Sequence, residues 1–369
     1  MSLKPEQLAK PLKVLRRISE TPDAISLVLE IPSDLQSQFR YQCGQFVSFF
    51  LNIGGETISR SYSLSTSPLT DSEFKITVKK VPNGRGSTFL CEKVREGDTL
   101  LTTPPAGHFF RPSVSENGVH YLLFAAGSGI TPVFSILKTV LSVDAANQVT
   151  LVYCNRDEGN IIYRKELDEL ATKFGPRLNV THTLTRASAG WSGRRGRVDA
   201  DLVRTVVAQA RASERPLDAY LCGPTEFMSA LRSQLEASGV ATEKIHIEDF
   251  GQSVHKPAGP KVDSSWTFIG PEDVAETPEK IIAQINGETV EVAAVAGQSV
   301  LEALLQAGAQ PPYSCMDGAC MACMGKIEAG RVYQEDPGIL SDDNVKHCEA
   351  LTCQAKPLSR IVKVSFDNL

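Results

Sequence analysis

Cys315, Cys320 and Cys323 form a C-x4-C-x2-C run, and Cys353 follows thirty residues after the last of them. Four thiolates at this spacing match the plant-type ligand set of a [2Fe-2S] cluster. The run contains small residues, Gly318, Ala319 and Ala322, which let three sulfurs converge while backbone N–H groups turn toward them. Zinc is the competing metal, but its cysteines usually come as paired C-x2-C knuckles. Of the nine cysteines, Cys348, beside His347, reads as a spare exposed thiol. Cys43, Cys91 and Cys154 stand alone among apolar neighbours and read as small buried hydrophobes.

A second constellation suits an anion and a flat aromatic ring. Arg60-Ser61-Tyr62-Ser63 follows one strand, and Gly84-Arg85-Gly86-Ser87-Thr88 follows another that carries Thr77 and Lys79. Arg60 presents a planar fork of donors to phosphate, Tyr62 a ring face for stacking, and Ser63 a hydroxyl able to reach a flavin N5. Gly86 lets the backbone approach a pyrophosphate whose charge Ser87, Thr88 and a helix N-terminus hold. Taken alone, the R-x-Y-S run also fits an exposed strand end.

Gly127-Ser128-Gly129-Ile130-Thr131-Pro132 stands between an apolar strand and a helical stretch, where parallel sheets bind phosphates. Thr131 is placed to cap that helix and Pro132 to sit in its first turn. The run is not G-x-G-x-x-G, so it is not the common dinucleotide fingerprint. Cys222-Gly223-Pro224 ends another apolar strand, and His246-Ile247-Glu248-Asp249-Phe250 closes the region. On their own, ordinary tight turns would also account for these runs.

Three kinds of scaffold must carry these residues. A chain of 369 residues is too long for one core and suggests two or three domains, and the pattern along it reads as three. From Pro11 to about Arg111 short strands, Ala24–Leu29, Gly44–Ile53 and Phe74–Val81, end at Pro, Gly or Asp, as in an all-β sandwich or barrel. From Val119 to about Phe250 strands at 120–126, 148–153 and 218–221 alternate with helices at 132–141, 163–171 and 226–235, which implies βαβ units and a parallel sheet. Pro257, Pro260, Pro271 and Pro278 mark a linker. Beyond it, Asn286-Gly287 is a hairpin turn between strands, and Ser299–Ala307 a helix leading into the cysteines. The expected domains are 8–113, 114–251 and 280–369, with a linker at 252–279.

Composition narrows the function. Lys and Arg number 38 against 43 Asp and Glu, a formal charge of -5, which argues against nucleic-acid and anionic-membrane partners. No run of about 18 apolar residues suggests a membrane span, and the first twenty residues lack the apolar core of a signal peptide, so a cytoplasmic location is expected.

The order R-x-Y-S, G-x-x-S, G-S-G-I-T-P and C-G-P resembles the ferredoxin-NADP reductase superfamily. With a plant-type ferredoxin at the C-terminus, the chain is similar to reductase components of multicomponent oxygenases. That resemblance implies an antiparallel β-barrel flavin domain, an α/β parallel-sheet NAD(P) domain and an α+β β-grasp ferredoxin domain. It implies FAD rather than FMN, contacted by Arg60, Ser61, Tyr62, Ser63, Thr77 and Lys79, with Gly86, Ser87 and Thr88 at the pyrophosphate. It puts Gly127, Ser128, Gly129, Thr131, Pro132, Gly223 and Pro224 at the nucleotide, Cys222 near the nicotinamide, and Glu248 and Phe250 near the flavin edge. Ser63, Cys222 and Glu248 are then the catalytic set. Met316 departs from relatives that often carry a basic residue there.

Such a chain is expected to take a hydride from NADPH or NADH and to deliver single electrons to a terminal oxygenase, hydroxylase or desaturase docking at the ferredoxin domain. Arg156, Arg164 and Arg186 are candidates to hold a 2'-phosphate, which inclines the reading to NADPH. The alternatives are a redox-sensing flavo-iron-sulfur protein and a reductase that releases reduced flavin.

Overall fold

In the first 100 residues the strands are continuously buried at 24–29 and 46–51 and alternate buried with exposed at 99–102. A computed structural model of the chain describes residues 9–107, 109–248, 250, 266–272, 275–313, 318, 321–335, 340 and 342–367. They fall into two compact units, one spanning Lys10–Phe250 and one in the C-terminal part of the chain.

In the first unit, β1 (Lys10–Thr21), β2 (Ala24–Glu30), β3 (Phe46–Ile53), β4 (Glu56–Ser63), β5 (Phe74–Lys79) and β6 (Thr99–Thr102) make an antiparallel sheet ordered β4-β3-β6-β1-β2-β5. An isolated bridge between Leu64 and Ile76 joins its two ends, so the sheet curls into a barrel. Leu12, Leu27, Phe49 and Ile76 fill it. Helix α1 (Arg85–Glu92) follows β5 and buries Leu90 and Cys91. The expected strands at 24–29, 44–53 and 74–81 correspond to β2, β3 and β5. Arg60–Ser63 lie inside β4 rather than after a strand.

The same unit continues into a parallel sheet ordered β10-β9-β8-β7-β11-β12, from β7 (His120–Ala126), β8 (Gln148–Asn155), β9 (Leu178–Leu184), β10 (Arg194–Arg195), β11 (Leu217–Cys222) and β12 (Ile245–Glu248). Its helices are α2 (Ile130–Val143), α3 (Arg164–Phe174), α4 (Ala200–Arg211) and α5 (Thr225–Ala237). Successive crossovers leave β7 in opposite directions, so its carboxyl end opens between β8 and β11, where such sheets bind ligands. Helix α2 is buried on nearly every side, because the sheet covers one face and the barrel another. Ser135 Oγ donates to Thr66 O at 2.6 Å, Thr139 Oγ1 to Ser67 Oγ at 2.8 Å, and Lys138 pairs with Asp71.

The second unit holds a five-stranded sheet, β15-β14-β20-β16-β18, made by β14 (Lys280–Ile285), β15 (Glu288–Ala293), β16 (Met324–Ala329), β18 (Glu349–Leu351) and β20 (Ile361–Ser365). Helix α6 (Val300–Gln306) packs on it behind a Ser299–Glu302 capping box, and α7 (Asp342–Lys346) precedes β18. The hairpin β14–β15 turns on Asn286 and Gly287, both at positive φ, as expected. A three-stranded sheet orders β13 (Trp266–Ile269), β17 (Val332–Glu335) and β19 (Lys356–Pro357) as β13-β17-β19. Strand β13 falls within the stretch read as linker at 252–279. It is held by pairing with β17, some 65 residues later, which no local pattern announces. Residues 252–265 of that stretch lie outside the described residues.

Candidate functional site

Strand β4 is hydrogen-bonded on one side, to β3, and among the described residues its other edge is open up to the Leu64 bridge. Arg60 and Tyr62 point to one face and Ser61 and Ser63 to the other, as strand alternation requires. The Tyr62 ring lies 5.8 Å from Phe49, and burial holds its phenol well above the usual range. Arg60 Nη1 donates to Ser59 O at 2.6 Å, and no carboxylate pairs with it among the described residues. Ser61 Oγ is 2.6 Å from Ser48 Oγ, whereas Ser63 Oγ, on a residue 3% exposed, has no protein partner. A buried hydroxyl left without a partner costs about 1–3 kcal/mol, unless a ligand takes it.

Gly86 in α1 backs directly onto this strand: a Cβ there would lie 2.7 Å from Arg60 Cγ. No side chain caps α1, whose N-cap is Gly84, so its first N–H groups are available to an anion. Ser87 Oγ accepts from Val81 N at 3.2 Å and thereby braces the turn. On β5, Lys79 pairs with Asp23 at 3.6 Å, and the Thr77 hydroxyl is taken up by Ser26 and Tyr163. An orphaned hydroxyl, a guanidinium without a carboxylate partner among the described residues, an uncapped helix and an open strand edge together fit a flat ring with a phosphate tail.

The turn Gly127–Gly129 closes the carboxyl end of β7, with Gly127 at φ +54. A Cβ on Gly127 would stand 3.9 Å from Lys79 Nζ, which sets the nucleotide turn beside β5. A Cβ on Gly129 would stand 2.1 Å from Cys222 O, so the turn and the end of β11 pack backbone to backbone. Thr131 does not cap α2 as expected. Its hydroxyl donates to Ser128 O at 3.0 Å, tightening the turn, and the helix starts at Ile130, two residues earlier than expected, with Gly129 as N-cap and no side-chain cap. Pro132 does lie in the first turn. Tyr153, which drew no attention in the sequence, donates its hydroxyl to Gly127 O at 2.9 Å. Its only local signal was a place near the end of an apolar strand.

Parallel pairing of β11 with β12 sets Cys222 opposite Glu248. Cys222 is fully buried, with Gly223 and Pro224 leading into α5. Glu248 Oε2 is buried without a partner, and burial pushes the carboxyl up to about 8. Phe250 is 43% exposed. Arg156 and Arg186 follow β8 and β9 and are tied by Arg186 N donating to Arg156 O at 2.6 Å. Neither side chain has a carboxylate partner among the described residues. The two acids that follow Arg156 are engaged elsewhere: Asp157 Oδ1 accepts from Asn160 Nδ2 at 2.7 Å, and Glu158 accepts from Ser188 N and Oγ at 3.0 and 2.6 Å. Arg164 is set apart, over Trp191 at 5.8 Å.

In the second unit Cys323 and Cys353 are 2% and 9% exposed and share an apolar cluster with Leu301 and Leu351. Thr352 joins them: its N–H and hydroxyl both donate to Cys323 O, at 3.1 and 2.6 Å. Gln354 Nε2 is 3.6 Å from Cys353 Sγ. Gly318 takes φ +67, open to glycine without strain. Two buried thiols with an amide donor at one sulfur fit half of an iron-sulfur ligand set. Cys315, Cys320 and Met316 lie outside the described residues. Cys348 is half-buried rather than exposed, while Cys43, Cys91 and Cys154 are buried as expected. Burial pushes the Cys43 and Cys91 thiols up to about 12 and about 11.

Comparison with known proteins agrees with this partition. Residues 11–110 match an oxidoreductase FAD-binding domain, 123–233 an oxidoreductase NAD-binding domain, and 283–358 a 2Fe-2S iron-sulfur cluster binding domain. The ferredoxin reductase component of a 3-ketosteroid-9-alpha-monooxygenase from Rhodococcus rhodochrous is 34% identical over 96% of both chains. A polypeptide of the 1,2-phenylacetyl-CoA epoxidase of Escherichia coli is 32% identical over 96% of this chain and 97% of its own. In fold, phthalate dioxygenase reductase covers 99% of this chain and all of its own, with a TM-score of 0.55 at 22% identity. The chain belongs to the family of NAD(P)H-dependent oxygenase reductase components, oxidoreductases that carry electrons through FAD and a [2Fe-2S] cluster to an oxygenase.

Proposed function

We propose that the open edge of β4 holds the flavin, with Arg60 on its phosphate, Tyr62 against the ring, and the α1 N-terminus with Gly86, Ser87 and Thr88 at the pyrophosphate. Ser63 Oγ carries this reading. It is buried and unpartnered, as expected of a group that waits for a ring nitrogen. Thr77 contributes backbone alone, since its hydroxyl is committed elsewhere. The nucleotide lies on Gly127–Gly129 and the N-terminus of α2, with Cys222 near the nicotinamide to be oxidised and Glu248 at the edge of the flavin ring. Below about pH 8 Glu248 keeps its proton, so it presents a neutral donor and not a charge to that ring. Bound there, FAD would accept a hydride and give up electrons singly, as a [2Fe-2S] centre requires. Cys315, Cys320, Cys323 and Cys353 hold that centre.

Arg156 and Arg186 favour NADPH. They stand side by side at adjacent strand ends without carboxylate partners, and Glu158 is engaged by Ser188. The oxygenase docks at the C-terminal unit, where residues 266–369 hold 15 acidic against 7 basic side chains and so suit a basic partner face. A cytoplasmic location goes with this reading, because the seven described cysteines form no disulfides with one another. Among the described residues no helix is long and apolar enough to cross a membrane.

Stopped-flow reduction of the purified holoenzyme tests the reading. NADPH should bleach the flavin faster than NADH at equal low concentration, and Arg186→Ala should erase the preference. Equal rates with both nucleotides in the parent would remove the two arginines from the nucleotide site.

A further inference from the structure

Thr77 sits in a line of hydroxyls that crosses the seam between barrel and parallel sheet. Tyr163 donates to Thr77 Oγ1, Thr77 Oγ1 and Ser26 Oγ are 2.6 Å apart, and Ser26 donates to Glu20 Oε1. Each hydroxyl has one proton. With Tyr163 giving to Thr77 and Ser26 giving to Glu20, Thr77 must give to Ser26, so the line has one direction and ends on a carboxyl group. Thr77 and Ser26 are 3% and 0% exposed, so water does not compete for these bonds.

Tyr163 is held where a tyrosine rarely goes. It takes φ 58 and ψ 28, the left-handed region, at the N-cap of α3. That conformation is unfavourable for a side chain of this size and persists only where surroundings over-determine it. Here they do: the ring is 1% exposed, stacks on Phe134 of α2 at 4.5 Å, and has Lys75 Nζ 5.4 Å above it. Lys75, Thr77 and Lys79 share one face of β5. The face that grips Tyr163 therefore runs on to Lys79, whose Nζ lies at the nucleotide turn. Phe134 belongs to the helix that begins at that turn. The contacts of Ser135, Thr139 and Lys138 hold the same seam farther along α2 but do not involve β5's Lys75–Lys79 face.

We propose that Tyr163 is a positioning residue for hydride transfer. Through Thr77, Ser26 and Glu20 it fixes the approach of the turn Gly127–Gly129 to the barrel. The inference rests on the assignment of flavin to the barrel and nucleotide to that turn. A strained residue locked by a directional line of hydrogen bonds stores a defined geometry, and hydride transfer is steep in geometry: a misplacement of about 1 Å can cost on the order of 100-fold in rate.

The test uses full-length holoenzyme with Tyr163→Phe, Thr77→Val and Thr77→Ser, and Thr139→Val as a seam control. The limiting rate of flavin reduction by NADPH is read beside the dissociation constants of FAD and NADP+, the melting temperature, and amide exchange across 161–167 in the NADP+ complex. Tyr163→Phe and Thr77→Val should each slow reduction about tenfold, leave both dissociation constants within about twofold, and raise exchange at 161–167. Thr77→Ser, which keeps a hydroxyl, should recover most of what Thr77→Val loses. Thr139→Val should lower the melting temperature comparably with the rate intact. Rates that follow melting temperature across all four variants, or that ignore Tyr163→Phe and Thr77→Val in a protein that binds FAD and NADP+ normally, overturn the positioning role alone. A parent whose reduction does not depend on FAD overturns the assignment beneath it and the inference together.

Discussion

Gly129 and Cys222 meet backbone to backbone: a Cβ on the glycine would fall 2.1 Å from the cysteine's carbonyl oxygen. No rotamer relieves that overlap, since a Cβ is fixed by the backbone. Gly129→Ala must push the nucleotide turn away from the end of β11. The expected outcome is a loss of NADP+ affinity of more than about tenfold with FAD content retained, because the barrel is untouched. Titration of the flavin difference spectrum with NADP+ checks it, and unaltered binding would mean that the turn is not part of the nucleotide site.

Arg60 is the anchor expected for the flavin phosphate. A charge-assisted hydrogen bond contributes roughly 1.5–3 kcal/mol, so Arg60→Ala should weaken FAD binding by about tenfold to a hundredfold. Cluster content should not change, since its ligands belong to the other unit. Apoprotein titrated with FAD gives the answer.

Cys353→Ser should abolish the cluster's absorbance and electron paramagnetic resonance signal, and with them cytochrome c reduction. Reduction of the flavin by NADPH should continue at the parent rate, because residues of the first unit alone provide for it. Simultaneous loss of flavin reduction in a folded variant would mean that electrons do not pass in this order.

Glu248 gives a pH signature. Its folded carboxyl titrates at about 8, far above its ordinary value of about 4.5. Between those values the unfolded chain binds fewer protons than the folded one, so stability declines as pH rises through the window and levels off above it. One proton corresponds to at most about 1.4 kcal/mol per pH unit. Glu248→Gln should flatten that decline and raise stability near pH 7.5 relative to the parent. Denaturant titrations at about pH 5 and pH 7.5 measure both slopes.

Where one stretch of chain determines its own geometry, sequence alone was enough. The strand–turn–helix punctuation around Gly127–Pro132 and the Asn286-Gly287 hairpin depend on local φ/ψ preference and on periods of 2 and 3.6 residues. The fold class could be read from those periods for the same reason. Helix α4 was legible but passed over: Val203, Val206, Val207 and Ala210 recur at helical spacing behind the Asp199 cap. Strand β9 was not, since of its residues only Leu178, Thr183 and Leu184 are buried.

Tertiary structure decided whatever needed a partner from far along the chain. Thr77 looked like a cofactor contact until Tyr163 and Ser26 claimed its hydroxyl. Strand β13 exists because Phe268 faces Tyr333 across a register set many residues away. A hydrogen bond or a strand pairing is a property of two segments brought together, and the local pattern of one segment records only its own half.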